Sequence, residues 1–109
     1  MDEQSRREVI LHVSDDPDGV QRALDAAAGL ADADLGVNVR VIVNGAALAG
    51  LTGTTAVEVP ERTQVAACSV GLGRRGITPG ELRPDVVTVP SAVTAIVQAQ
   101  LAGAAYVRI

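Results

Sequence analysis

The sequence has one aromatic side chain and no lysine, and both scarcities exclude functions. Among its 109 residues Tyr106 is the single aromatic, with neither Phe nor Trp. Proteins that bind single-stranded nucleic acid stack bases on aromatic rings beside basic residues. With one ring and a net charge of -4, the chain is not expected to bind nucleic acid. Without lysine it has no Schiff-base residue and no P-loop lysine to bind phosphate.

Histidine and cysteine occur once each, as His12 and Cys68. Because a His/Cys metal centre needs several such ligands, we expect no metal site, and no motif calls for another cofactor. A single cysteine cannot form an internal disulfide, and the N-terminal residues lead into a strand instead of a secretory apolar segment. The cytoplasm is therefore the expected compartment. No apolar run approaches the roughly 20 residues that span a bilayer, so no membrane partner is expected.

Short apolar runs alternate with helix-forming segments along the whole chain. Runs rich in β-branched residues predict strands at 8–13, 37–43, 64–68, 86–89 and 104–109. A helix is predicted to begin with an Asp cap and Pro17 and to stop at Gly36, and another to run over 92–102. This alternation predicts one α/β domain over residues 1–109, with three layers and a mainly parallel sheet of about five strands.

Shorter segments lie between these elements. Residues 46–51 have room for a turn or two of helix, and 78–82 fit a capped helical turn. Residues 52–63 are expected to form a loop with a short extended piece at 57–59. The glycine-rich residues 69–76 are also expected to form a loop. Its glycines either satisfy positive φ angles in a tight turn or cradle an anion with their N–H groups.

Polar and reactive residues follow or end several of the predicted strands. Right-handed crossovers bring the carboxyl ends of parallel strands to one edge, which is where open α/β sheets bind ligands. Cys68 is expected at this edge as the candidate catalytic residue. The candidate ligand-binding residues around it are Asn44, Gly45, Ser69, Gly71, Arg74 and Ser91.

Cys68 permits two interpretations. A thiol at a strand end, followed by backbone N–H groups and by Arg74 and Arg75, is favoured as a thiolate nucleophile. Free cysteine is also among the most buried residue types, so an inert thiol that finishes a buried strand fits as well. The two arginines can equally be solvated loop charges.

Three other polar residues have structural interpretations. His12 stands among apolar neighbours, which is more typical of a packed, hydrogen-bonded side chain than of a base. Ser91 is predicted to cap the helix that follows it, although that helix N-terminus would also favour an anion near Cys68. Tyr106, the lone large ring of an alanine-rich domain, is predicted to anchor a subunit interface.

Two segments of the C-terminal half, VAACSVGLGRRGITPGEL and DVVTVPSAVTAIVQAQLAGAAYVRI, carry a pattern known from other proteins. An apolar strand ends in Ala-Cys, a Gly-Ile-Thr turn follows, and Val-Pro-Ser starts a helix that leads to a last strand with Tyr. The matching positions are Cys68, Gly76, Ile77, Thr78, Leu82, Val89, Pro90, Ser91, Gln100, Gly103 and Tyr106. In this pattern the chain resembles the DsrE/DsrF-like family of small sulfur-relay proteins.

The resemblance implies an α/β subunit that assembles into dimers, trimers or hexamers. It also implies that Cys68 carries sulfane sulfur as a persulfide between donor and acceptor proteins, so that the protein is a sulfurtransferase-like carrier at most. The alternative is a non-catalytic oligomeric domain that binds a small anion or a protein partner, with Cys68 structural. Nucleotide binding is disfavoured, because residues 14–19 offer carboxylates where a phosphate needs N–H donors.

Overall fold

The computed structural model describes residues 6–109, and its strands form one parallel sheet. The strands are β1 (Arg7–Val13), β2 (Val37–Val43), β3 (Thr63–Cys68), β4 (Val86–Val89) and β5 (Ala105–Arg108). Their order in the sheet is β4-β3-β2-β1-β5, and every neighbouring pair is parallel. The predicted α/β class is confirmed, and the sheet is parallel throughout.

Helices cover both faces of the sheet and complete the three layers. The helices are α1 (Gly19–Asp32), α2 (Ser69–Arg74) and α3 (Ala92–Leu101), with 3₁₀ helices at Gly45–Leu51 and Pro79–Glu81. One face of β2 presents Val39, Val41 and Val43 to a core that α1 and the first 3₁₀ helix close. The other face presents Ile42, with Ile10 of β1, to α3. No described helix is long and apolar enough to cross a bilayer.

Helix α1 differs from its predicted bounds at both ends. It begins at Gly19 instead of Pro17, and the Asp16 carboxylate accepts the Gly19 N–H at 2.9 Å. It ends at Asp32, four residues before the predicted stop at Gly36. Gly36 does adopt a positive φ of 68°, but in the turn that leads into β2. Asp16 therefore caps the helix from outside it, and Gly36 redirects the chain after the helix has ended.

The largest correction concerns the glycine-rich segment after Cys68, which is a helix and not a loop. Residues Ser69–Arg74 form α2, and neither Gly71 nor Gly73 has a positive φ. Leu72 is buried in the α1-side core, so burial of one apolar side chain favours the helix. A Cβ at position 71 would lie 2.8 Å from the Leu48 side chain. Gly71 is thus needed for close packing and not for an unusual backbone angle.

The segment between the first 3₁₀ helix and β3 is irregular, as expected. Residues 57–59, predicted as a short extended piece, belong to no strand and pair with none in the described chain. The segment is held by Arg83, whose guanidinium donates hydrogen bonds to the carbonyl oxygens of Gly50, Thr55 and Ala56. The helical turn predicted at 78–82 is confirmed as Pro79–Glu81, with a reciprocal capping box between Thr78 and Glu81.

Candidate functional site

The connections after β3 and β4 leave the sheet on opposite faces. Strand β3 leads into α2, whose Leu72 packs in the α1-side core, whereas β4 leads into α3 on the other face. The two strands are neighbours, and Cys68 is paired in register with Val89. Such a divergence opens a crevice at the carboxyl ends of the strands, the place where open α/β sheets bind ligands. Cys68 lies at this crevice.

The Cys68 sulfur accepts two backbone hydrogen bonds from two different helices. Its Sγ lies 3.4 Å from the Gly71 nitrogen, in the first turn of α2, and 3.3 Å from the Ala92 nitrogen, the first residue of α3. These N–H groups have no partner within their own helices, since the first turn of a helix lacks carbonyl acceptors. Two N–H dipoles directed at one atom favour negative charge on it. The residue itself is buried, with 5% of its surface exposed.

A cavity of about 800 Å³ opens beside the thiol at this edge. It lies between the first turns of α2 and α3 and the end of β2. The lining residues are Asn44, Gly45, Cys68, Val70, Gly71, Arg74, Arg75, Ser91, Ala92 and Val93. The lining contains two arginines and no acidic residue, although the chain as a whole has a net charge of -4. The cavity therefore suits an anion better than a cation.

Five of the six predicted ligand-binding residues lie on the cavity wall. Asn44, Gly45, Gly71, Arg74 and Ser91 are lining residues, whereas Ser69 begins α2 beside the cavity without lining it. Ser91 caps α3, as predicted, because its Oγ accepts the Thr94 N–H at 3.4 Å. The Ser91 hydroxyl proton remains available as a donor to a ligand.

Gly45 is required by the backbone at the end of β2. Its φ is 58°, and a Cβ there would lie 2.8 Å from the Ser14 carbonyl oxygen. Any other residue would push the end of β2 away from the turn after β1. The backbone N–H of Asn44 donates to the Val13 oxygen at 3.0 Å, which holds the two strand ends together. Asn44 is thereby fixed at the cavity.

The two arginines of the cavity lining, Arg74 and Arg75, have no acidic partner among the described residues. Neither Arg74 nor Arg75 forms an ion pair within residues 6–109, and both are exposed. By contrast, Arg108 at the end of β5 pairs with Asp15 at 2.6 Å. Asp15 thus forms an ion pair with Arg108 and does not cap α1. Two unpaired guanidinium groups at the rim can attract and hold an anionic ligand.

A chain of hydrogen bonds connects the cavity to the edge strand β5. The Tyr106 hydroxyl lies 2.7 Å from His12 Nδ1, and His12 Nε2 lies 2.9 Å from Asn44 Oδ1. The prediction that His12 is a hydrogen-bonded side chain is confirmed. No group of His, Cys, Asp and Glu residues in the described chain has the arrangement of a metal site.

Some residues at the site were not foreseen from the sequence. The sequence indicates Arg75 only as the neighbour of Arg74, and no sequence pattern points to the apolar lining residues Val70, Ala92 and Val93. The Tyr106–His12–Asn44 contacts join residues up to 94 positions apart, and no local pattern could have found them. The helical path of residues 69–74, had it been expected, would have brought Val70 and Arg74 to the site together.

Comparison with known proteins supports the fold and leaves the family open. No protein-family model matches the sequence, and no curated protein matches it. Among solved structures, the protein of unknown function MTH1491 from Methanobacterium thermoautotrophicum is similar, with 23% identity and a TM-score of 0.79. The alignment covers 94% of this chain and 99% of that one. The chain therefore has the α/β/α fold of the archaeal protein over nearly its entire length.

Proposed function

We propose that the protein carries sulfane sulfur as a persulfide on Cys68, as the DsrE/DsrF-like proteins that it resembles do. One observation supports this most: two backbone N–H groups converge on Sγ at the wall of a cavity with unpaired arginines. Transfer of sulfane sulfur requires a thiolate and access for a donor, because the S–S bond that breaks is weak and exchanges readily. The two N–H groups can stabilise negative charge on Sγ during the reaction, and the cavity supports access of a donor to the sulfur.

The transfer is a simple displacement. The Cys68 thiolate attacks the terminal sulfur of a donor persulfide, R–S–SH, and a new Sγ–S bond forms as the S–S bond of the donor breaks. The proton stays on the transferred sulfur, and the thiolate R–S⁻ leaves. No electron is gained or lost overall, so the step needs no redox cofactor. The N–H groups of Gly71 and Ala92 stabilise the attacking anion before the step.

The shape and charge of the cavity restrict the donor. Since only 5% of Cys68 is exposed, the persulfide group must enter the cavity to reach Sγ. Arg74 and Arg75 at its lining favour a donor with negative charge beside the persulfide. We propose that donor and acceptor are proteins that insert a cysteine-bearing segment here, in the reducing cytoplasm where thiols stay free.

Intact-mass spectrometry after brief exposure to glutathione persulfide tests the proposal. The native chain should gain one sulfur atom on Cys68. The matched control is the double variant Cys68→Ser/Ala28→Cys, which carries one exposed thiol on α1. Cys68 should react faster than the control thiol, because N–H donors and arginines assist it. Absence of the adduct, or a control that reacts equally fast, contradicts sulfur carriage.

The alternative is a non-catalytic domain that binds an anion in the same cavity while Cys68 only holds α2 and α3 together. Its supporting observation is the burial of Cys68, which suits a structural thiol. Thiol labelling distinguishes the two. Labelling of the native protein that is slow, and becomes fast only in urea, favours the structural role. In that case Cys68→Ser should bind anions as the native protein does.

We also propose that the protein is a homo-oligomer. Helix α3 carries no charge and exposes a stripe formed by Val93, Val97 and Leu101, which are 68%, 48% and 84% exposed. These residues are spaced four apart, so they lie along one side of the helix. Apolar stripes of this kind pack against a second copy in many oligomers. Light scattering should give a mass above the 11.1 kDa of one chain, and Leu101→Gln should lower it; a strict monomer contradicts the proposal.

A further inference from the structure

Tyr106, His12 and Asn44 form a hydrogen-bonded series across three adjacent strands and end at the cavity. Tyr106 is on the edge strand β5, His12 is near the carboxyl end of the neighbouring strand β1, and Asn44 comes directly after β2. Tyr106 pairs in register with Ile10, so its ring reaches along β1 to His12, two residues further on. The two rings have centroids 5.8 Å apart. Of the three residues, only Asn44 lines the cavity.

When the His12 ring is neutral, hydrogen-bond chemistry assigns a single role to each of the three groups. The Asn44 amide oxygen can only accept, so His12 Nε2 carries the proton that it donates across 2.9 Å. Nδ1 of the neutral ring is then an acceptor, and the Tyr106 hydroxyl donates to it across 2.7 Å. Because its oxygen is bound to His12, the Asn44 NH₂ group is the free end of the amide. No residue between 6 and 109 accepts a hydrogen bond from it.

We propose that His12 and Tyr106 are positioning residues that hold the Asn44 amide with its NH₂ group toward the cavity, where it donates to an anionic ligand. An amide rotated by half a turn would present its oxygen and repel the anion. Tyr106 acts through His12: its hydroxyl selects the ring tautomer with the proton on Nε2. The ligand class that fits is an anion rich in hydrogen-bond acceptors, because Asn44, Ser91, Arg74 and Arg75 all offer donors.

The proposal rests on the proposed function in one respect, that the ligand occupies this cavity. It does not depend on sulfur transfer, and it applies equally if Cys68 is structural. Sulfate is therefore the appropriate probe, since it is an acceptor-rich anion without a transferable sulfane sulfur. Persulfidation of Cys68 is measured separately. A failure of persulfidation with a positioned Asn44 overturns sulfur carriage alone, and the reverse result overturns positioning alone.

Nitrogen-15 NMR can observe each part of the series directly. The chain has one histidine, so imidazole labelling gives one pair of ring nitrogens, which should show the proton on Nε2. Tyr106→Phe keeps the ring and removes the donor, and it should give a mixture of tautomers. Sulfate titration should shift the Asn44 side-chain amide, and Tyr106→Phe should weaken this binding by about tenfold, the loss expected for one hydrogen bond to a charged group.

Two further variants complete the test. Asn44→Asp keeps an oxygen for His12 but replaces the donor with a negative charge, so it should abolish sulfate binding. Ser14→Ala removes a hydroxyl at the same sheet edge, bonded to Arg108 and outside the cavity lining, and should bind sulfate as the native protein does. A purely structural role for Tyr106 would lower stability in urea and leave sulfate affinity unchanged. That result, a proton on Nδ1, or no shift of Asn44 with sulfate overturns the proposal.

Discussion

The Sγ atom of Cys68 accepts the backbone N–H of Ala92, which lies 3.3 Å away and 24 residues further along the chain. This bond joins the end of β3 to the first residue of α3, and a second bond from Gly71 joins it to α2. One side chain therefore accepts a backbone N–H group from the first turn of each of two helices, and these helices lie on opposite faces of the sheet. Substitutions at Cys68 should act through these N–H groups as much as through lost packing.

We expect Cys68→Ser to be more stable than Cys68→Ala. Alanine leaves the Gly71 and Ala92 N–H groups without an acceptor and should lower the free energy of unfolding by about 1–3 kcal/mol. Serine keeps an acceptor oxygen at the same position, and its own proton faces a cavity. Urea denaturation of the two variants measures the difference. If the sulfur were only an apolar filler, the order would be reversed, because burying a hydroxyl group would then cost more than removing the sulfur.

The two glycines of α2 should respond in opposite ways to substitution with alanine. At Gly71 the new methyl group would lie 2.8 Å from Leu48, which is fully buried and cannot easily move, so Gly71→Ala should destabilise by about 1–3 kcal/mol. At Gly73 no atom lies within 4 Å of the added carbon, and Gly73→Ala should stabilise by about 0.4–1 kcal/mol through the unfolded state. Thermal or urea unfolding measures whether each variant is more or less stable than the native protein. Equal effects would contradict the close packing of Gly71 on Leu48.

These glycines also show where sequence-based prediction reaches its limit. Alternating valines in β2 and the Val-Pro-Ser that starts α3 are local patterns, so strands and helices of this kind were predicted nearly to the residue. The helix at Ser69–Arg74 was not, since local propensity disfavours glycine there. Its burial of Leu72 and the approach of Leu48 to Gly71 are tertiary contacts. The contact of His12 with Tyr106 likewise depends on the strand order, which places β5 beside β1.

Arg83 should control the mobility of the segment after the first 3₁₀ helix. Its guanidinium donates to Thr55 at 2.8 Å and to Gly50 and Ala56 at 3.3 Å each. Arg83→Lys keeps the charge but loses the planar fork that reaches several carbonyl groups. The Gly53 amide, which donates to the Glu81 carbonyl, should then exchange with solvent about tenfold faster as the segment opens.

The matched control for this experiment is Arg62→Lys. Arg62 is ion-paired with Glu61, its neighbour in the chain, across 3.1 Å. Surface pairs of this kind contribute little, so the variant should leave Gly53 exchange unchanged. If Gly53 exchanged faster in both variants, replacement of either guanidinium group would destabilise the segment. That result would contradict a specific role for Arg83.

Stability should decline in acid partly through Asp16. The hydrogen bond from the Arg22 side chain is the main cause that lowers the pKa of this carboxyl below its ordinary value of 3.8. The Arg22 charge and the Gly19 N–H lower the pKa further, whereas partial desolvation raises it. A lowered pKa in the folded state stabilises the protein above pH 3.8, and this contribution is lost as the pH falls through the lower folded value. Asp16→Asn should therefore flatten the acid limb of the stability profile.

Urea unfolding from neutral pH to the acid limb measures this effect. Asn remains a good helix cap, so the helix itself should survive in Asp16→Asn. Arg22→Gln removes the main cause of the shift and should flatten the same limb. Arg22 and Asp16 are in contact at 3.3 Å. If Arg22→Gln kept the acid dependence of the native protein, this contact would not be the origin of that dependence.

Because the Ala92 N–H donates to the Cys68 thiol, the Ala92 amide also reports the chemical state of the sulfur. An amide proton that points at a sulfur atom changes its chemical shift when that atom gains charge, loses it or acquires a substituent. Ala92 is the first residue of α3, the helix whose outer side exposes Val93, Val97 and Leu101. The Ala92 backbone resonance should therefore report any chemical change at the thiol. A partner docked on the outer side of α3 would contact the same helix whose first N–H group is bonded to Cys68.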